Sequence, residues 1–132
     1  MVFKRVLHLS LKDIPSVVKD IFRFVKPLKI AVDKVFDIRL SIEEALVNAV
    51  KHGNKSDNNK RVYLYLRAGT EVFTVEIRDD GKGFNYKKTP LPTTKGNLKK
   101  PSGRGIFLIR ELMDEVEFFD GGSRIRMVKY LK

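Results

Sequence analysis

The stretch Arg61-Val62-Tyr63-Leu64-Tyr65-Leu66-Arg67-Ala68-Gly69-Thr70-Glu71-Val72-Phe73-Thr74-Val75-Glu76-Ile77-Arg78-Asp79 decides the fold. Val62, Leu64 and Leu66 share one face of a first strand, 61–67, and Phe73, Val75 and Ile77 one face of a second, 72–79. The period of two marks half-buried strands, and the short Ala68-Gly69-Thr70 turn joins them as an antiparallel hairpin. Working outward, residues 2–11 alternate loosely and read as an edge strand. Residues 115–119 and 124–131 are strand pieces joined across Asp120-Gly121-Gly122.

Helical spacing fills the gaps. From Ile14, the apolar positions Val17, Val18, Ile21, Val25 and Leu28 recur at i, i+3 and i+4, with Ser10 or Asp13 as cap, Pro15 tolerated in the first turn and Pro27 near the end. A second helix covers 33–52 with Val35, Ile38, Ile42, Ala45, Leu46 and Ala49 as its stripe. Gly53 is its expected left-handed cap, and 54–59 a polar turn. A third starts near Ser102, with Ile106, Ile109, Leu112 and Met113 facing inward, and Phe22, Phe24, Phe36, Phe118 and Phe119 are assigned to the core. Tight turns between neighbouring strands predict an α+β fold, a two-layer sandwich of mostly antiparallel sheet covered on one face by helices.

The chain has 132 residues, 42% of them hydrophobic, which suits one domain, 1–132, with a genuine core. No apolar run approaches the roughly 20 residues that cross a bilayer, and Lys4, Arg5 and His8 break up the start in a way a signal peptide does not. His8 reads as a structural histidine, having no ligand-type neighbour. With no cysteine, thiolate metal sites and disulfides are excluded and a cytoplasmic location is expected. The formal net charge of +11 attracts polyanions without choosing among them. A nucleic-acid binder is one consequence to weigh, yet no recognition-helix or stacking pattern stands out. The surplus is concentrated instead: Lys82, Lys87, Lys88, Lys95, Lys99, Lys100 and Arg104 lie between Gly81 and Gly105 with no acid among them. The same stretch has almost no apolar periodicity and reads as a long loop, a length that accompanies function or mobility.

Three groups of residues carry chemistry. In Ser41-Ile42-Glu43-Glu44-Ala45-Leu46-Val47-Asn48-Ala49-Val50-Lys51-His52-Gly53, Glu44 and Asn48 are one turn apart on one helix face, with Ser41, Lys51 and His52 in the same arc. A carboxylate can take a proton and an amide oxygen can ligate a hard cation; the plainer alternative is a solvated polar face. His52, at the helix end where the dipole favours a cation, reads as a cap or a wall of the site. Asp79-Asp80-Gly81-Lys82-Gly83-Phe84 places an acid at a strand's mouth, where it can accept from an exocyclic amine, although Asp-Gly pairs also form ordinary turns. Pro101-Ser102-Gly103-Arg104-Gly105 opens a helix whose free N–H groups and dipole suit an anion.

In this order, a helix with Glu-x-x-x-Asn, a strand ending Asp-x-Gly-x-Gly, a long loop and a Gly-x-Gly helix start resembles the GHKL (Bergerat-fold) ATP-binding domain, over about residues 7 to 129. The segments 42–53 and Gly103-Arg104-Gly105-Ile106-Phe107-Leu108-Ile109-Arg110-Glu111-Leu112-Met113-Asp114-Glu115-Val116 look closest to the anti-sigma-factor serine kinases. The resemblance implies ATP and Mg²⁺ as cofactors: Asn48 holding the Mg²⁺, Glu44 as the base for a substrate serine, and Asp79 accepting from the adenine amine. It also implies that Gly81 and Gly83 shape the adenine pocket, that Gly103 and Gly105 meet the phosphates with Arg104 close by, and that an ATP lid covers about 84–101. The implied function is an ATP-dependent serine protein kinase and anti-sigma factor that binds a sigma factor and phosphorylates a STAS-type anti-sigma-factor antagonist. A homodimer is expected, with no direct nucleic-acid or membrane partner. The alternative is a non-catalytic, nucleotide-gated binding module of the same fold. The chain shows no phospho-accepting histidine helix and no transducer domain, unlike self-contained histidine kinases and gyrase-type machines. The lysine excess exceeds what the family needs, and thermophilic enrichment is one source of such an excess.

Overall fold

The structure, a computed structural model, describes residues 1–57, 59–83 and 101–132, with side chains described from Gly105 onward in the last segment. The strands are β1 (Val2–Leu7), β2 (Val62–Ala68), β3 (Val72–Asp79), β4 (Glu115–Phe119) and β5 (Arg124–Tyr130), and the helices α1 (Ile14–Val25), α2 (Val32–Asn48) and α3 (Pro101–Leu112). They form a five-stranded sheet of order β1-β2-β3-β5-β4 in which every pair is antiparallel. The expected α+β sandwich is therefore what forms.

The alternation of the central strands builds the core. Val62, Leu64 and Leu66 of β2, Phe73, Val75 and Ile77 of β3, and Ile125 and Met127 of β5 are buried on the inner face. Against them lie Val18, Ile21 and Val25 of α1, Ile38, Ile42, Ala45 and Leu46 of α2, and Ile106 and Ile109 of α3. Phe24 of α1 packs on Phe3 of β1 with ring centroids 5.3 Å apart. The outer face runs in cross-strand ladders such as Lys4–Tyr65–Glu76–Arg126–Glu117. Arg126 pairs with Glu117 at 2.9 Å, and the Arg78 guanidinium lies 3.9 Å from the Tyr63 ring centroid.

Four expectations need correction. β1 ends at Leu7, because Ser10 and Asp13 form a capping box that starts a 3-10 turn at Leu11–Asp13. The Ser10 hydroxyl donates to Asp13 at 2.7 Å, satisfying the helix entry locally. Phe36 is not core: it stands 62% exposed, one turn after Val32 at 86%. Ser41 does not share the site face; it is fully buried and its hydroxyl has no hydrogen-bond partner among the described residues. Lastly, α2 stops at Asn48 and continues as a π-helical turn, Ala49–Gly53, closed by the Asn54 N–H on the Ala49 carbonyl at 2.8 Å. Gly53 keeps an ordinary negative φ, so its lack of a side chain answers another need.

One buried cation ties the layers together. Lys129, on the inner face of β5 and 7% exposed, pairs with Asp37 of α2 at 3.0 Å and donates to the Leu112 carbonyl at the end of α3. It satisfies an orphan carbonyl at a helix C-terminus, where a positive charge is also favoured.

These two buried polar side chains carry opposite expectations. Lys129→Met leaves the Leu112 carbonyl without its donor and Asp37 without its partner, and should lower unfolding free energy by about 2 kcal/mol in urea titration. Ser41→Ala removes an unsatisfied hydroxyl from a helix and should raise it by roughly 1 kcal/mol.

Candidate nucleotide site

Asp79 is the last residue of β3 and, by alternation after Ile77, belongs to the inner face. Its carboxylate is 9% exposed and lies against the π-helical turn. A Cβ on Gly53 would stand 2.1 Å from Asp79 Oδ2, and one on Gly81 would stand 2.0 Å from the Gly53 carbonyl oxygen. The two glycines are what allow the acid, the turn and the following strap to stack without side chains between them. The Gly81 N–H donates to Asp79 Oδ1 at 2.7 Å, and the Asp79 N–H donates to the Ser123 carbonyl at 2.9 Å. Burial pushes the Asp79 carboxyl above its ordinary range, with Asp80 adding to the shift and the Gly81 N–H, Lys60 and Arg78 opposing it.

A cavity of about 170 Å³ opens beside this acid. Ala45, Ala49, Ile77, Ile106, Phe118 and Ile125 supply apolar walls, and Asn48, His52, Asp79 and Ser123 supply the polar groups. Partial burial and the neighbouring Lys51 charge hold the His52 imidazole below its ordinary value. His52 lines the cavity wall, one of the two places the sequence reading allows it.

Glu44 is turned toward α3. A Cβ on Gly105 would come within 2.7 Å of Glu44 Oε2 and 3.5 Å of Asn48 Nδ2, so the absence of a side chain at 105 is what lets the two helices bring these groups together. Its neighbour Glu43 faces away and pairs with Arg39 at 3.3 Å along the exposed side of α2. Gly83 has φ +83°, and a Cβ there would meet the Gly121 carbonyl at 2.2 Å, so the strap after β3 passes directly by the β4–β5 turn. Glu44, Asn48, Asp79, Gly81, Gly83 and Gly105 are thereby gathered around one region. Gly103 and Arg104 fall in the first turn of α3, beyond the described side chains, and the expected lid at 84–101 lies outside the described residues apart from the helix start.

Sequence reading passed over several members of this site. Gly53 reads as a cap, Phe118 as core and Gly122 as part of the turn between the last two strands, and Ser123 carries no assignment. Ser123 reaches the cavity because β5 pairs with β3, a long-range pairing that local periodicity does not encode. The one available signal was Gly-Gly-Ser before a strand, which reads equally well as a turn.

The donor set fits a purine nucleotide with a hard cation. Apolar walls suit a base, the buried Asp79 carboxylate suits an amine, and the Asn48 amide oxygen is a ligand of the kind Mg²⁺ takes.

Comparison with known proteins points to a family of ATPases. Residues 10–129 match the profile of the histidine kinase-like ATPase domain. Proteins named serine-protein kinase RsbW from Staphylococcus aureus strains MSSA476 and JH9 are each 34% identical over 108 residues, spanning 76% of this chain and 68% of theirs. With its profile match running through all three motif segments, the chain belongs to the histidine kinase-like ATPase (GHKL) family.

Proposed function

We propose that this chain is an ATP-dependent serine protein kinase and anti-sigma factor, binding a sigma factor and phosphorylating a STAS-type anti-sigma-factor antagonist. The reading rests above all on Glu44 and Asn48 meeting Gly105 at the rim of the cavity that holds Asp79. The likeness to proteins named serine-protein kinase supports it. The whole chain, 1–132, acts as one ATP-binding domain with its lid at about 84–101, working as a homodimer in the cytoplasm.

In this reading the adenine lies between the apolar walls and Asp79 accepts from its amine. A base without that amine leaves a desolvated carboxylate unpaired, which makes the discrimination large. Asn48 is the protein ligand for Mg²⁺, which would supply charge neutralisation along the triphosphate. The N-terminal turn of α3, with Gly103, Arg104 and Gly105, offers backbone N–H groups to the phosphates, and the lysines of 82–100 add positive charge. Glu44 takes the proton of the acceptor serine as its oxygen bonds to the γ-phosphorus and ADP leaves. Positioning and charge neutralisation do most of the work in such a transfer.

The test is transfer of label from γ-labelled Mg-ATP to the serine of a STAS-domain protein encoded beside this chain. Wild type should label it, and Glu44→Ala should label it about 100- to 10,000-fold more slowly. Asn48→Ala should erase the gain in ATP affinity that Mg²⁺ confers. No labelling by wild type overturns the kinase reading; tight ATP binding in both wild type and Glu44→Ala would then leave a nucleotide-gated binding module.

Asp79 gives a second outcome. Its folded pKa is raised, so the folded state holds the proton more tightly than the unfolded chain does. Its contribution to stability therefore falls as pH rises from the ordinary carboxylate value through the raised one. Asp79→Asn keeps the Gly81 hydrogen bond and removes that pH slope. Urea midpoints should show the variant at least as stable as wild type at pH 7, while calorimetry shows its preference for ATP lost.

A further inference from the structure

Behind Asp79 sits a polar side chain with no part in the chemistry above. Asn54 is 3% exposed and follows Gly53 directly. The β2–β3 ladder ends at the pair Val62–Asp79. One residue further on, side chains take over the bonding. Asn54 Nδ2 donates to the Arg61 carbonyl at 3.0 Å, and the Asp80 N–H donates to Asn54 Oδ1 at 2.8 Å. The Arg61 N–H donates to the Asp80 carboxylate at 2.7 Å. Both ends of one carboxamide are thus used, each on the main chain of a different strand end. Asn54 is itself anchored, its N–H on the Ala49 carbonyl at 2.8 Å and its carbonyl receiving the Asp57 N–H at 2.9 Å.

The consequence is geometric. Gly53 forms the surface against which the Asp79 carboxylate rests, and Asp80 is the residue that carries Asp79 out of the sheet. Asn54 is covalently next to the first and hydrogen-bonded to the second, so it sets the distance between the acid and its backing. A desolvated carboxylate is drawn toward water, and a strand end released from its partners frays. A hydrogen bond to a base amine tolerates little displacement of the accepting oxygen. We propose that Asn54 is a positioning residue for nucleotide specificity, holding the end of β3 so that Asp79 reads the exocyclic amine of the base. The inference rests on the reading of Asp79 given above.

The test measures equilibrium binding of Mg-ATP and Mg-ITP, whose base carries a carbonyl in place of the amine, and so does not depend on kinase activity. Asn54→Ala should weaken ATP binding about tenfold and leave ITP binding nearly unchanged, shrinking the ATP/ITP ratio by the same factor. Asn54→Asp keeps the acceptor for the Asp80 N–H, loses the donor to Arg61 and should fall between; it decides the matter alone if the alanine variant does not fold. A merely structural role lowers stability and moves both affinities together, and that result overturns the proposal. Asp79→Asn separates the two layers of the argument. A ratio lost in Asp79→Asn but intact in both Asn54 variants overturns the role of Asn54 only. A ratio unchanged in Asp79→Asn overturns the amine reading, and the role of Asn54 with it.

Discussion

A carboxylate held out of water at the end of a central strand is the constraint around which the rest of this molecule is arranged. Asp79 has 9% exposure, and among the described residues only the Gly81 N–H donates a hydrogen bond to its carboxylate. Burying a charge so sparingly satisfied costs stability. It also creates an acceptor that discriminates, since a ligand must bring a donor to recover what desolvation took. The demand propagates into sequence. Gly53 and Gly81 lack side chains because the acid and the turn occupy that space, and the π-helical end of α2 brings the 53 position to the acid in the first place. Widened turns of this kind recur at functional sites for the same reason: they re-aim one residue without breaking the helix.

The second arrangement joins α2 to α3. Glu44 and Asn48 face the first turns of α3 only because residue 105 is glycine. At the other end of that helix Lys129 binds the Leu112 carbonyl and Asp37 together, so α3 is fixed to α2 and β5 where it ends. The first turn of α3 thus projects from a helix clamped at its C-terminus, while the stretch of sequence that precedes it is long, basic and free of acids. Rigid placement of Glu44 against α3 and a lysine-rich segment before that helix put a fixed acid and a concentration of positive charge next to each other in the chain.

Part of the +11 surplus has a structural account and part does not. On the outer sheet face, Arg78, Arg124 and Arg126 lie over Tyr63 and Phe119 or beside Glu76, Glu117 and Asp120. Those cations stabilise a sheet face that none of the described helices covers. The lysines of 82–100 have no acid interspersed among them in sequence.

Periodicity and turn chemistry were sufficient for the architecture. The alternation of Val62, Leu64 and Leu66 with Phe73, Val75 and Ile77 and the Gly69 turn required a hairpin, and short links elsewhere required antiparallel neighbours, because both are local consequences of backbone geometry. The order of the three motifs likewise determined which helix carries Glu44 and Asn48 and which strand end carries Asp79. What local pattern could not supply was everything fixed by contact between distant segments. It could not show that Glu43 pairs with Arg39 on the exposed side of α2 while Glu44 stands against Gly105. It took Gly53 for a cap, Phe36 for core and Asn54 for part of a polar turn, and it gave Ser123 no place in the site. Those assignments depend on steric exclusion and hydrogen bonds between segments remote in sequence, whose relative position exists only once the sheet has paired and the helices have packed on it.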